Sequence, residues 1–144
     1  MNSRESIYAA LYARLVASGS FGLTGRKLRH IEDVQPAQFP AAYQVQLSED
    51  VIQEFNKPAI FTMRAEWWLY AFHPDDTVAH TPQLNVMVDN ALAALGVTGS
   101  GPNTSQTLGG LVHAVWLDGR IDYVEGMLSD RSFARIPIAI KVPA

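Results

Sequence analysis

The sequence of 144 residues contains no cysteine, which excludes disulfide bonds and metal sites built from thiolates. It has no apolar run near the roughly 18 residues that a membrane-spanning helix needs. Charged residues make up 17% of the chain, below the usual value of about 25%, and this hints at association between chains. The net charge of −3 disfavours a dedicated nucleic-acid-binding protein, because such proteins are usually basic.

The N-terminal stretch MNSRESIYAALYARLVASG lacks the basic start and continuous apolar core that are typical of a signal peptide. We interpret it as an amphipathic helix of the folded protein, and the cytoplasm is the expected compartment. The length suits one domain over residues 1–144. No segment repeats and none is of low complexity, so we expect no internal boundary.

Two helices are predicted from apolar residues at helical spacing. The first begins with Asn2 or Ser3 as its cap, and the second begins with Thr81 as its cap and ends at Gly96. The buried stripes are expected to consist of Ile7, Leu11 and Leu15 in the first helix and of Leu84, Val88, Leu92 and Leu95 in the second.

Five strands are predicted over residues 24–31, 41–49, 59–73, 111–123 and 134–142. In the second strand, alternation places Tyr43 on the buried face and Gln44 on the exposed face. Asp118 and Gly119 predict a bulge or tight turn within the fourth strand. Pro137 lacks an N–H group, which favours an edge position or a bulge for the last of the five predicted strands. The order α-β-β-β-α-β-β predicts a two-layer α+β domain, with a mostly antiparallel sheet of about five strands and both helices on one face.

The third predicted strand, in FTMRAEWWLYAFH, has two faces that both need cover. Met63, Trp67 and Leu69 share one face, which we expect to pack against the helices. The other face ends in three aromatic residues: Trp68, Tyr70 and Phe72. A neighbouring subunit is the favoured cover, because aromatic residues are enriched at the centres of interfaces. A loop of the same chain, within 32–40 or 97–107, is the alternative.

The basic residues are concentrated at Arg26, Lys27 and Arg29, next to His30. Such a patch can meet an acidic partner or a DNA backbone. The alternative is a solvated strand whose charges prevent edge-to-edge association.

No glycine-rich phosphate-binding loop or nucleophile motif is present. The segment HPDDTVAH offers four side chains of metal-binding type: His73, Asp75, Asp76 and His80. The same residue types are ordinary in turns and helix caps. We therefore assign no metal ligand, no cofactor and no catalytic residue.

A succession of short sequence segments along nearly the whole chain forms a recognisable pattern. It runs through RESIYAALYARL, GRKLRHIEDV, FPAAYQVQ, RAEWWLYAF, LNVMVDNALAAL, SQTLGGLVHAVWLDGRIDYVEG and ARIPIAIKV. It resembles the tail terminator or tail completion proteins of long-tailed bacteriophages, the lambda-like minor tail protein family. That resemblance implies a virion protein that forms a hexameric ring at the head-proximal end of the tail, after assembly in the host cytoplasm.

The implied ring ends polymerisation of the tail tube and provides the surface for head joining. Its partners would be other copies of the chain, the tail tube protein and the head–tail connector protein, with genomic DNA passing through the lumen unbound and no membrane involved. Three alternatives stay open: a head–tail connector or other tail accessory protein, a small metal-dependent hydrolase using the 73–80 segment, and a nucleic-acid-binding module using residues 26–30.

Overall fold

The computed structural model describes residues 2–75, 79, 81–96, 107–125 and 130–143. In this part of the chain the helices are α1 (Arg4–Ala17) and α2 (Thr81–Ala94). The strands are β1 (Leu23–Gly25), β2 (Ala41–Ile52), β3 (Ile60–Phe72), β4 (Ala114–Leu117), β5 (Asp122–Val124) and β6 (Arg131–Pro143). Two short 3₁₀ turns, Ile31–Asp33 and Pro36–Gln38, lie between β1 and β2. Neither helix has the length and hydropathy that crossing a membrane requires.

The six described strands form one sheet in the order β1-β2-β3-β6-β4, with β5 also paired to β6. Only β1 pairs in parallel, with β2, and the other described pairs are antiparallel. The predicted α+β class with a mostly antiparallel sheet is confirmed. The fourth predicted strand is present as two pieces, β4 and β5, because residues 118–121 interrupt its pairing with β6.

The main core lies between the two helices and one face of the sheet. Helix α1 is capped by Ser3, whose hydroxyl accepts a hydrogen bond from the Ser6 N–H at 3.1 Å. The core holds residues of both helices and of β3 and β6, including Ile7, Leu11, Leu15, Leu84, Val88, Met63, Trp67, Leu69, Ile136, Ile138 and Ile140. The predicted position of both helices on one face is therefore confirmed, as is the inward face of β3.

The predicted faces of β2 are wrong at Gln44. This residue is buried on the helix side, while Tyr43 lies in a separate cluster on the opposite side. Gln44 can be buried because its polar groups are paired. Its amide oxygen accepts from the Trp67 indole N–H at 3.0 Å, and its amide nitrogen donates to the Tyr8 carbonyl at 2.8 Å.

The predicted strand over residues 24–31 is also wrong, since β1 ends at Gly25. Arg26 turns toward α1 and forms an ion pair with Glu5 at 2.5 Å. The chain then leaves the sheet edge, and Ile31 and Val34 become buried against the sheet face that the helices do not cover. Because burial of these two apolar side chains is favourable, the chain crosses this face of the sheet and does not continue as a strand.

Pro137 lies in an inner strand and not at the predicted sheet edge, because β6 pairs with β3 on one side and with β4 and β5 on the other. The predicted bulge is present. Four residues, 118–121, lie opposite two residues of β6, and the Asp118 N–H donates to the Pro137 carbonyl at 3.1 Å. Gly119 adopts a φ of 114° there, which only glycine adopts readily. The interruption accommodates the missing N–H of Pro137 inside the sheet.

Candidate interaction surfaces

The sheet face away from the helices carries a second apolar cluster. Its buried members are Ile31, Val34, Ala41, Tyr43 and Tyr70, with Leu23, Phe39, Trp68 and Phe133 packed around them. The segment that contains the two 3₁₀ turns supplies Ile31, Val34 and Phe39, so a loop of the same chain covers much of this face. Contact of the same face with a second subunit stays a prediction.

The predicted interface residues Tyr70 and Phe72 are held by this loop and by β6. Tyr70 is 2% exposed and its hydroxyl donates to the Arg29 carbonyl at 2.8 Å. Burial raises the pKa of Tyr70, so its hydroxyl stays protonated and remains a donor. The Phe72 ring stacks on Phe39 with centroids 5.3 Å apart, and the Arg131 guanidinium lies 5.5 Å from the Phe72 centroid.

Trp68, the third predicted interface residue, is only half-buried. Its ring stacks on Phe133 at 5.3 Å, and the Arg135 guanidinium lies 5.5 Å from its centroid. Its indole N–H is buried and has no hydrogen-bond partner among the described residues. A cavity of about 260 Å³ lies beside it, lined by Leu28, His30, Ile31, Trp68, Tyr70 and Phe133.

The predicted basic patch lines a larger open pocket of about 450 Å³ next to β1. Its lining is Leu23, Thr24, Gly25, Arg26, Lys27, Leu28, Arg29, His30, Asp33 and Tyr43. The Arg26 hydrogen bond lowers the pKa of Glu5, so this carboxylate stays ionised against Arg26. Lys27 and Arg29 are exposed and form no ion pair within the described part of the chain. The pocket therefore combines apolar walls with a basic rim.

A third surface lies where β2 turns into β3. The turn is at Asn56, with a φ of 61°. Four large apolar side chains near it are exposed: Leu47, Val51, Ile52 and Phe55. Phe55 is 92% exposed, the highest value among the exposed large apolar residues of the described chain. The sequence analysis did not single out this surface, although Phe55 between Glu54 and Asn56 in a polar turn was the available signal.

The segment proposed for metal binding is only partly described. His73 directly follows β3, and its backbone N–H donates to the Asp130 carbonyl at 2.8 Å. Asp75 is also described, whereas Asp76 and His80 lie outside the described residues. Among the residues that the structure describes, no group of three or more His, Asp or Glu side chains could hold a metal ion.

Comparison with known proteins finds no matching family model and no matching curated protein. Solved structures do match. The fold resembles that of a chain in the "Virion of native gene transfer agent (GTA) particle". The alignment has a TM-score of 0.52 and 12% sequence identity, and it covers 94% of this chain and 93% of that chain. At this identity the likeness shows a shared fold over nearly the full length of both chains.

Proposed function

We propose that the protein is a structural virion protein that caps the tail tube at its head-proximal end as a homo-oligomeric, hexameric ring. The observation that carries the proposal is the shared fold with a chain of a virion particle, which extends over 94% of this chain. The resemblance of the sequence to tail terminator proteins supports the same conclusion. In this role the protein ends tube polymerisation and presents a surface for head joining.

The surfaces of the chain suit a protein that works by contact. A ring subunit needs two different contact surfaces, since head-to-tail interfaces generate rings when the rotation closes. The described residues offer an apolar turn at Phe55, and the pocket with the basic rim lies elsewhere on the molecule. The net charge of −3 is compatible with a lumen through which DNA passes without specific binding.

Within this proposal, the sheet face that carries Trp68, Tyr70 and Phe72 lies at the contact between neighbouring subunits. Trp68 is the residue to test, because its half-buried side chain borders the 260 Å³ cavity, whereas Tyr70 is buried and Phe72 stacks on Phe39. We expect Trp68→Ala to fold and to fail in assembly. Val86→Ala, which changes an exposed apolar residue of α2, is the matched control. A Trp68→Ala protein that folds and assembles like the wild type would contradict this assignment.

The experiment that tests the function is deletion of the gene in the strain that produces the particles, followed by measurement of tail lengths by negative-stain electron microscopy. Overlong or unjoined tails, restored by supplying the protein, are the expected result. Normal tails on infectious particles would refute the role. Normal-length tails detached from filled heads would replace it with the second candidate, a head–tail connector or completion protein. The fold likeness to a chain of the GTA virion fits this role equally, because both roles belong to a virion protein.

A further inference from the structure

The exposed apolar residues of the protein are concentrated at one end of the sheet. Of the eight exposed large apolar residues in the described chain, four lie between Leu47 and Phe55. Exposed apolar residues gathered in one segment mark a contact site more often than scattered single residues do. Phe55 is the most exposed of the four, at 92%, and an aromatic side chain of this kind buries about 150–250 Å² when it is covered.

The turn that carries Phe55 is acidic. Residues 49–57 contain Glu49, Asp50 and Glu54 against one cation, Lys57. Asp50 and Glu54 take part in ion pairs of their own chain, with Arg64 and Lys57, and their side chains are still 65% and 59% exposed. Exposed pairs contribute only about 0–1 kcal/mol, so these carboxylates can also face a basic partner.

The pocket beside β1 has the complementary character. Leu23, Leu28 and Tyr43 supply apolar walls, and Lys27 and Arg29 supply cations on the rim. A guanidinium or ammonium group near an aromatic ring adds a favourable cation–π contact. Asp33 is the one carboxylate in the lining. The pocket therefore suits an aromatic side chain flanked by carboxylates.

The two surfaces lie at opposite ends of the same strand. Tyr43 stands in the pocket near the start of β2, and β2 ends at Ile52, just before the turn with Phe55. Nine residues of strand at roughly 3.3 Å each separate these points by about 30 Å. One chain cannot place its own turn in its own pocket, so the turn must come from another copy, and the match between its carboxylates and the basic rim favours that occupant.

We propose that Phe55 of one subunit docks into the pocket lined by Leu23, Leu28 and Tyr43 of the next copy. Lys27 and Arg29 of that copy then face the carboxylates beside Phe55. The contact joins two different surfaces of the same chain and is head-to-tail, which is the type of contact that builds rings. The inference rests on the proposed function for its biological setting. The Trp68 cavity shares Leu28 and His30 with the pocket and is continuous with this interface.

The test is photo-cross-linking in cells that assemble the particles, with benzoylphenylalanine introduced at position 55. The expected products join position 55 to residues 23–29 or to Tyr43 of a second copy. In the same cells, the double variant Lys27→Glu, Arg29→Glu should reduce these products at least about tenfold, because the charge reversal places like charges against each other across the contact. The matched control reverses Arg14 and Lys141 to glutamate; these residues lie outside the pocket lining and should leave the yield unchanged.

Cross-links from position 55 to other parts of the chain, to other proteins only, or to nothing would overturn the docking. An unchanged yield in the Lys27→Glu, Arg29→Glu variant would do the same. These outcomes are separate from the tail-length measurement. If the deletion gives overlong tails but position 55 cross-links elsewhere, the capping function stands and the docking is refuted. If the cross-links reach the pocket but the deletion has no tail phenotype, only the docking stands.

Discussion

Replacement of Gln44 by leucine should destabilise the fold even though it puts an apolar residue into an apolar core. Gln44 is 2% exposed and connects β3 to α1 through its hydrogen bonds to Trp67 and Tyr8. In the Gln44→Leu variant the Trp67 indole N–H loses its acceptor while the ring stays fully buried. A buried donor without a partner costs about 1–3 kcal/mol. We expect a net loss of about 1–2 kcal/mol, since the leucine side chain recovers part of this by apolar burial.

The assay is urea unfolding with linear extrapolation, supported by the melting temperature. For a domain of this size a loss of 1 kcal/mol lowers Tm by roughly 3 °C, so a fall of about 3–6 °C is expected. Gln46→Leu is the matched control, because Gln46 lies on the same strand and is exposed. Its effect should stay within about 0.5 kcal/mol of the wild type.

A double-mutant cycle isolates the hydrogen bond between Gln44 and Trp67. Trp67→Phe removes the indole donor, so Gln44→Leu should cost less in that background than in the wild type. The coupling energy is expected to be about 1–2 kcal/mol. If Gln44→Leu is neutral or stabilising, or if the two substitutions are simply additive, the reasoning that this hydrogen bond allows Gln44 to be buried is refuted.

Two further predictions concern other parts of the fold. Gly22→Ala should destabilise the protein by about 1–3 kcal/mol in urea unfolding, because the new Cβ would lie 2.6 Å from the Gln38 carbonyl oxygen; a wild-type unfolding midpoint would contradict this. The hydrogen bond from Arg135 lowers the pKa of Asp122, so the pair stabilises the fold above the ordinary aspartate pKa of 3.8 and loses this effect as the pH falls through the lower folded value. The stability difference between the wild type and Asp122→Asn should therefore vanish on acidification, and a difference that persists or grows at low pH would contradict the assignment.

The sequence was sufficient to predict the elements in which alternation and burial agree. In β6, Ile136, Ile138 and Ile140 alternate with other residues and all three are fully buried. The prediction failed at Gln44 because a polar side chain is counted as exposed unless its partners are known, and those partners come from another strand and from a helix. It failed over residues 24–31 because the chain leaves the sheet edge there and crosses the sheet face on which Ile31 and Val34 become buried. That face exists only once the strands have assembled, so the local sequence does not reveal the path of the chain.

The candidate surfaces were also predictable only in part. The two-sided character of β3 was visible in its alternation, and so was the need for cover over Trp68, Tyr70 and Phe72. The covering segment was visible only as one alternative, a loop within 32–40 or 97–107, because the sequence does not show which loop folds back onto this face; Val34 and Phe39 of the first do so. The pocket beside β1 could be foreseen only as a basic patch, since its lining combines β1, the residues that follow it and Tyr43 of β2.

The size of the proposed docking contact bears on where a ring can form. One aromatic anchor buries about 150–250 Å², whereas a stable interface buries about 800 Å² on each partner. Phe55 is therefore an anchor that needs further contacts, such as those at Trp68, or a high local concentration of subunits. The end of a tail tube would supply that concentration, because subunits bound side by side meet with an effective concentration far above that in solution. A subunit with separate donor and acceptor surfaces can then remain apart in solution and still close a ring on the tube.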